Sequence, residues 1–168
     1  MTEKPTLLDN LNAYMKTEPE GLLEKIAQDH HVTLTQVIQA LPDAKIVDGS
    51  NFDAIWEEVT TWGDVLFLVH TGDVIAEISG ELPTGSHSQR YFNLRHQKGL
   101  SGHIKAEHCQ YIAFIERKFM KMATASIIFL NHTGQAMFKI FVGRDEKHQL
   151  KADQLEKFRT LAKKINSL

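Results

Sequence analysis

The amino-acid sequence predicts an α+β domain, with helices at the N-terminus, a largely antiparallel β-sheet after them, and one helix at the C-terminus. Two patterns predict these elements. Apolar side chains recur at helical spacing in residues 1–42 and again near the C-terminus, whereas residues 65–142 hold short apolar or alternating runs separated by turn residues. Because short turns rather than crossover helices join the strand segments, neighbouring strands are expected to pair antiparallel.

The N-terminal helices are predicted from three apolar stripes, of which the first holds Leu7, Leu8, Leu11 and Met15. A second stripe covers 22–27 and a third covers 34–41, with Thr33 expected to cap the third helix and Pro42 to end it. The second and third helices, joined by a tight turn at 30–32, resemble a helix-turn-helix.

The charge of this segment favours a packing role over DNA binding. A DNA-reading helix needs Lys and Arg on its surface, and residues 33–41 contain neither. Residues 1–42 carry three lysines against six acidic residues. An acidic surface of this kind repels the phosphates of DNA, so the hypothesis of a DNA-binding regulator is the less favoured one.

The rest of the chain predicts strands enclosed by two helices. The apolar run Val65–His70 is expected to form a hairpin with the alternating run 74–79 through Thr71-Gly72-Asp73. The segment 82–100 is long and polar and is interpreted as a functional loop. The other predicted elements are a strand at 46–47, a helix at 51–61, strands at 104–107, 111–115, 126–130 and 137–142, and a helix at 153–165.

Length and composition limit the classes of function. A chain of 168 residues is expected to form a single domain, with a helical part at 1–42 and a β-rich part at 43–168. The net charge of −2 does not favour nucleic acid or an anionic membrane as partner, and no run approaches the ~20 apolar residues of a membrane span. Cys109 is the only cysteine and is expected to pack as a small apolar group. The single cysteine rules out an intramolecular disulfide, and the first residues are polar and lack the apolar segment of a secretory signal peptide. Together these two features predict a cytoplasmic protein.

Two histidines are candidate ligands for a metal or a metal-containing molecule. His70 and His103 end or begin predicted strands beside Gly72 and Gly102, so that neighbouring strands would fix each imidazole. A single surface histidine is more often without such a role. His87 and His96, in the long polar segment, are expected to be less well fixed. No hydrolase, phosphate-loop, dinucleotide or metalloprotease motif is present, and no catalytic residue is predicted.

A haem site needs a donor for the iron, an apolar wall for the macrocycle and cations for the two propionates. Strand aromatics are candidates for the wall, namely Phe67, Phe114, Phe129, Phe138 and Phe141. The candidate cations are Arg90, Arg95, Lys105 and Arg117. Composition alone does not distinguish haem from another planar ligand.

Several blocks of sequence, in order along nearly the whole chain, resemble cytosolic haem-utilisation carrier proteins of the HutX/ChuX/HuvX type. The blocks are Trp62-Gly63, Leu68-Val69-His70-Thr71, Gly80-Glu81-Leu82-Pro83-Thr84-Gly85, Arg90-Tyr91-Phe92-Asn93-Leu94-Arg95, Ser101-Gly102-His103-Ile104-Lys105-Ala106-Glu107, Glu116-Arg117-Lys118-Phe119-Met120 and Lys139-Ile140-Phe141-Val142-Gly143-Arg144-Asp145.

The resemblance implies a Gram-negative bacterial protein with a bent antiparallel sheet, similar to one half of larger haem-trafficking and haem-degrading proteins, that pairs as a homodimer. It implies that the two haem-binding histidines of the family correspond to His70 and His103, with Arg90, Arg95 and Lys105 as candidate propionate contacts. Some relatives use a tyrosine in the strand after the Lys-Phe-Met block; here residues 124–127 contain none, so histidine is favoured as the ligand of the haem iron.

The expected function is that of an intracellular carrier in haem uptake and iron acquisition, which accepts haem as cargo and passes it to a haem-degrading enzyme. The alternative is a haem-degrading or haem-reducing enzyme that acts on the same ligand.

Overall fold

The computed structural model describes residues 3–95 and 99–168. The helices of these residues are α1 (Leu7–Met15), α2 (Leu23–Asp29), α3 (Leu34–Gln39), α4 (Phe52–Val59) and α5 (Ala152–Lys164). Their strands are β1 (Lys45–Asp48), β2 (Asp64–His70), β3 (Ile75–Glu81), β4 (Thr84–Ser88), β5 (Tyr91–Arg95), β6 (Gly102–Ile104), β7 (Cys109–Phe119), β8 (Met122–Asn131) and β9 (Ala136–Phe141). Short 3₁₀ helices cover Gly49–Asn51 and Ala106–His108. Among the described residues, no helix combines the length and the apolar character needed to cross a membrane.

The strands divide between two antiparallel sheets. Six of them form one sheet in the order β1-β7-β8-β9-β2-β3, and β4, β5 and β6 form a smaller sheet in chain order. Every pairing in both sheets is antiparallel, which confirms the predicted fold class. The predicted hairpin is β2–β3, in which His70 pairs with Ile75 and the Thr71 amide donates a hydrogen bond of 2.8 Å to the Val74 carbonyl.

The interpretation of residues 82–100 as a loop is wrong for most of its length, because the segment forms β4 and β5. Alternation explains this result: Phe92 and Leu94 are buried while their neighbours are not. The turn between the strands has two residues, Gln89 and Arg90, with φ of 52° and 69°. Such a turn usually carries glycine or asparagine, so its signal was missing from the sequence. His96 lies outside the described residues.

The six-stranded sheet buries apolar side chains on both of its faces. Along β7, Ile112 and Phe114 belong to one core, and Ala113 and Ile115 belong to the other. This alternation with period two means that each face supports a separate layer. The first core joins the sheet to α4, α5 and the small sheet, whereas the second joins it to α1–α3.

The N-terminal helices are packed as a layer against the sheet. Thr6 and Thr33 cap α1 and α3, each accepting a hydrogen bond of 3.1 Å from the backbone amide three residues later, which confirms the predicted role of Thr33. Leu11 and Met15 are buried, but the predicted stripe was wrong at its first two positions, because Leu7 and Leu8 are exposed.

On the other side of the sheet, α4 connects the small sheet to the core. The fully buried Trp56 donates a hydrogen bond of 2.8 Å from Nε1 to the carbonyl of Pro83, immediately before β4. Its ring and that of Phe52 lie 5.5 and 5.2 Å from the ring of Phe92 on β5, centroid to centroid. These contacts hold the inner face of the small sheet, so its outer face is turned away from the core.

Candidate functional site

The outer face of the small sheet carries four of the five predicted site residues. Because Phe92 points into the core, its neighbours on β5 point outward, and strand pairing places Asn93 directly opposite His103 of β6. We call this surface the outer face. It consists of Thr84, Ser86 and Ser88 of β4, Tyr91, Asn93 and Arg95 of β5, His103 of β6 and Lys105 just after β6. We count Arg90 with it, because Arg90 lies in the β4–β5 turn at one end of this surface.

His103 lies in the middle of the outer face and is exposed. Its Nδ1 is 2.5 Å from Oδ1 of Asn93, and its ring is 5.7 Å from the ring of Tyr91, centroid to centroid. The ammonium of Lys105 lies 5.8 Å from the centre of the same Tyr91 ring, within the range of a cation–π contact. An imidazole, a phenol ring and an ammonium group thus form one continuous surface.

The outer face is positively charged. Arg90 lies in the turn beside Tyr91, and Arg95 lies at the opposite end of β5, so cations flank His103 along the strand. Residues 84–95 and 101–105 contain no aspartate or glutamate. Within the part of the chain that the structure describes, Arg90, Arg95 and Lys105 form no salt bridge. These cations are therefore available to the carboxylates of a ligand.

His70 lies in a different environment, at the end of β2 under α2. Its side chain is 16% exposed, and Nδ1 is 3.5 Å from Oε1 of Glu24 on α2. The same carboxylate forms an ion pair with the buried ammonium of Lys139 on β9. His70 also lines a cleft of about 660 Å³ beside α2 and the start of α3, which is large enough for a small molecule.

The two histidines are on opposite sides of the six-stranded sheet. Phe67 points into the core shared with α4, so His70, three residues later on β2, points to the face covered by α1–α3. The small sheet packs on the α4 side and turns His103 outward from there. One subunit therefore presents two separate candidate sites.

The predicted apolar wall is wrong for four of its five members. Phe67, Phe114, Phe129 and Phe138 are at most 7% exposed and fill the core between the sheet and the helices α4 and α5. Aromatic side chains on strands bury the most area of any residue, so a core position is their usual place. Phe141 is half-buried and lines a different groove, beside Leu66 and Val142.

Arg117, a predicted cation for the propionates, is not free. Its guanidinium donates hydrogen bonds of 2.6 and 2.9 Å to the carbonyls of Pro19 and Gly21, and burial lowers its pKa. Arg117 therefore holds the segment between α1 and α2 against β7.

Two further groups are occupied by structural contacts. Cys109 is buried, and burial raises the pKa of its thiol to about 12, as expected for a residue that packs as a small apolar group. His87 lies on the inner side of β4, where Nε2 is 2.8 Å from both carboxylate oxygens of Asp53 on α4.

The chain is similar to proteins of haem systems over most of its length. The model of a family described as haem utilisation ChuX/HutX matches residues 45–161. A protein named intracellular heme transport protein HutX, from Vibrio cholerae serotype O1 (strain ATCC 39315 / El Tor Inaba N16961), is 31% identical over 150 residues, which are 88% of this chain and 78% of that protein. A crystal structure from Erwinia carotovora has a TM-score of 0.91 and 50% identity and covers 93% of this chain and 98% of its own. A structure described as the heme binding protein ChuX has a TM-score of 0.87 and 54% identity, covering 92% of this chain and 97% of its own.

Two longer proteins share the fold alone. Holo-PhuS, a heme-binding protein from Pseudomonas aeruginosa, has a TM-score of 0.77 at 14% identity and covers 100% of this chain but 50% of its own. The heme degrading enzyme ChuS of Escherichia coli O157:H7 has a TM-score of 0.74 at 13% identity and covers 95% of this chain but 49% of its own. The present fold thus corresponds to one half of each, as predicted.

Proposed function

The chain belongs to the haem utilisation ChuX/HutX family, and we propose that it is an intracellular haem carrier in bacterial haem uptake and iron acquisition. It accepts haem as cargo in the cytoplasm, acts as one domain over residues 1–168, and passes the haem to a haem-degrading enzyme without catalysing a reaction itself. The observation that carries this proposal is the outer face, where an exposed imidazole lies between cations that form no salt bridge within the described chain.

The chemistry of the outer face matches that of haem. Imidazole nitrogen is a ligand of haem iron, and guanidinium and ammonium groups pair with propionate carboxylates. In this proposal His103 contacts the iron, and Arg90, Arg95 and Lys105 contact the propionates. An exposed ligand on a rigid sheet suits a carrier, because it binds without closure of a lid and leaves the cargo accessible to the acceptor.

We propose His70 as a second haem contact, in the cleft beside α2. The cleft combines the imidazole with apolar side chains of Leu22, Val32 and Leu34. Since Nδ1 of His70 already lies beside the Glu24 carboxylate, which also pairs with Lys139, this contact is expected to be the weaker one.

His103→Ala is expected to weaken haem binding about 100-fold, which corresponds to ~2.8 kcal/mol. The substitution removes the iron ligand but leaves the buried inner face of the sheet intact, so folding is retained. Titration of the apo-protein with hemin, followed by the Soret band, measures the affinity and shows the loss of the histidine-ligated spectrum.

His132→Ala serves as the control for this titration and is expected to change the affinity less than about threefold, below ~0.7 kcal/mol. His70→Ala, at the weaker of the two proposed contacts, is expected to weaken binding less than His103→Ala does. His132 is an exposed histidine that is not part of the outer face, and its Nε2 lies 3.2 Å from the carbonyl of Glu107. Equal affinities of wild type and His103→Ala would refute the assignment of the outer face, and the absence of saturable binding in wild type would refute the carrier. Loss of the Soret band with release of iron, on incubation of the complex with a reductant and catalase, would instead identify a haem-degrading enzyme.

The carrier is proposed to be a homodimer that pairs through the edge of the six-stranded sheet. β3 is one of the two edge strands of this sheet. Ile75 and Ile78 on β3 and Val74 just before it are exposed. An exposed apolar edge strand is a template for pairing with another strand. Light scattering is expected to give a mass roughly twice 19.1 kDa for wild type and close to 19.1 kDa for Ile75→Lys. A monomeric mass for wild type at the same concentration would contradict the homodimer.

A further inference from the structure

The side chain of Asn93 has only one orientation on the outer face that satisfies its hydrogen bonds. Its Nδ2 lies 3.2–3.4 Å from the backbone carbonyls of Ser86, Ser88 and Tyr91, to which it donates. Carbonyls only accept, so an amide rotated by 180° would place its oxygen against three acceptors. The oxygen Oδ1 is therefore directed at His103.

This orientation decides which nitrogen of His103 carries the proton. Oδ1 of Asn93 only accepts, and it lies 2.5 Å from Nδ1 of His103, so Nδ1 must be the protonated donor. In a neutral imidazole the other nitrogen, Nε2, then has a free lone pair. A free histidine in water places its proton mainly on Nε2, and Asn93 reverses that preference.

We propose that Asn93 is a positioning residue, which fixes the Nδ1–H tautomer of His103 and leaves Nε2 as the donor atom for haem iron. The inference rests on the proposed function, because it concerns the ligand of the same cargo. A partner at the second ring nitrogen fixes the tautomer and raises the basicity of metal-binding histidines in general. The Tyr91 ring packs edge-to-face against that of His103 at 5.7 Å, centroid to centroid, beside the same hydrogen bond.

His87 offers a contrast within the same small sheet. Its Nε2 lies 2.8 Å from both carboxylate oxygens of Asp53, which accept only. His87 is therefore expected to carry its proton on Nε2, opposite to His103. The two histidines give opposite expected signatures in one spectrum of one protein.

The first test uses the wild-type apo-protein without haem. Two-bond ¹H–¹⁵N correlation spectra at about pH 8, where an ordinary imidazole is neutral, distinguish the protonated ring nitrogen from the unprotonated one. We expect Nδ1–H for His103 and Nε2–H for His87. Observation of Nε2–H for His103 would overturn the inference. Because this test uses only the wild-type protein, it does not depend on whether a variant folds.

The second test compares a variant of Asn93 with a control variant of the outer face under the same conditions. Asn93→Ala is expected to return His103 to the Nε2–H tautomer and to weaken hemin binding about 10-fold, the lower end of the range for partners of metal ligands. Ser86→Ala removes a neighbouring side chain of the outer face but keeps Asn93 and the Ser86 carbonyl, and it is expected to keep the Nδ1–H tautomer. An unchanged His103 tautomer in a folded Asn93→Ala would overturn the inference.

The outcomes separate the inference from the proposed function. If wild type shows Nδ1–H at His103 but no saturable hemin binding, the carrier function fails while the role of Asn93 in orienting His103 is supported. If wild type binds hemin but shows Nε2–H at His103, the role of Asn93 fails while the carrier function is retained.

Discussion

Trp56→Ala is expected to lower the free energy of unfolding by about 3–5 kcal/mol, as is usual when a fully buried aromatic side chain is truncated. Trp56 has no exposed surface, and its ring contacts those of Phe67, Phe92 and Phe138. The substitution leaves a cavity where α4, the six-stranded sheet and the small sheet meet. It also removes the donor to the Pro83 carbonyl at the start of β4. A domain of this size has a total stability of roughly 5–15 kcal/mol, so the loss is a large part of it.

Urea unfolding followed by far-ultraviolet circular dichroism measures this loss. Tryptophan fluorescence is unsuitable, because the substitution removes one of only two tryptophans in the chain. Trp56→Phe keeps an aromatic ring but leaves the Pro83 carbonyl without its donor, and a loss of about 1–3 kcal/mol is expected. Met120→Ala, at a residue that is 73% exposed, should change the stability by no more than about 0.5 kcal/mol. A loss below ~1 kcal/mol for Trp56→Ala would contradict the packing of α4 between the two sheets.

Trp56 also links stability to function. Trp56 supports the outer face from the opposite side of the small sheet, because its ring packs on Phe92 and its Nε1 donates a hydrogen bond to the Pro83 carbonyl. A site on a sheet is only as precise as the packing that supports its strands. Trp56→Ala is therefore expected to weaken haem binding as well, although no atom of Trp56 belongs to the outer face.

The sequence predicted those parts of the fold whose signals are local. The β2–β3 hairpin was predicted because an apolar run, a turn with glycine and an alternating run follow one another directly. The β4–β5 hairpin was missed, since its turn uses Gln89 and Arg90 with positive φ in place of glycine or asparagine. The prediction of an aromatic wall is wrong because the sequence pattern around Phe129 and Phe138 is the same whether these side chains face a ligand or a core.

The same limit applies to the candidate sites. His103 was identifiable from its position at a strand end beside Gly102, but its partner Asn93 follows only from the register of β5 with β6. The tautomer of His103 therefore depends on strand pairing that no local pattern reveals. Likewise, Glu24 and Lys139 lie far apart in the sequence, and only the packing of α2 over β9 brings them to His70.

The ion pair between Glu24 and Lys139 is expected to be the second position at which one substitution has a large effect. Lys139 is buried on β9 between Leu68 of β2 and Ile128 of β8, in an apolar part of the sheet. Both carboxylate oxygens of Glu24 are buried and receive no hydrogen bond from the described residues, so the Lys139 ammonium is their main compensation. Lys139→Met is expected to lower the free energy of unfolding by about 3–5 kcal/mol, because it leaves a buried carboxylate without its cation.

A double-mutant cycle distinguishes this cause from a simple loss of packing. Glu24→Leu alone leaves the Lys139 ammonium buried without an anion, and a loss of about 3–5 kcal/mol is expected again. The double variant Glu24→Leu/Lys139→Met removes both charges and fills their space with apolar atoms, so its stability is expected to return to that of wild type or to exceed it by about 1–4 kcal/mol. Additive losses in the double variant would contradict the buried pair.

Lys25→Met is the matched surface control for these variants. Lys25 pairs with Asp29 on the exposed side of the same helix, so the loss of this pair should lower the free energy of unfolding by less than ~1 kcal/mol. Because the buried pair joins α2 to β9, hydrogen exchange in the Lys139→Met variant is expected to accelerate first in α1–α3 and later in the sheet.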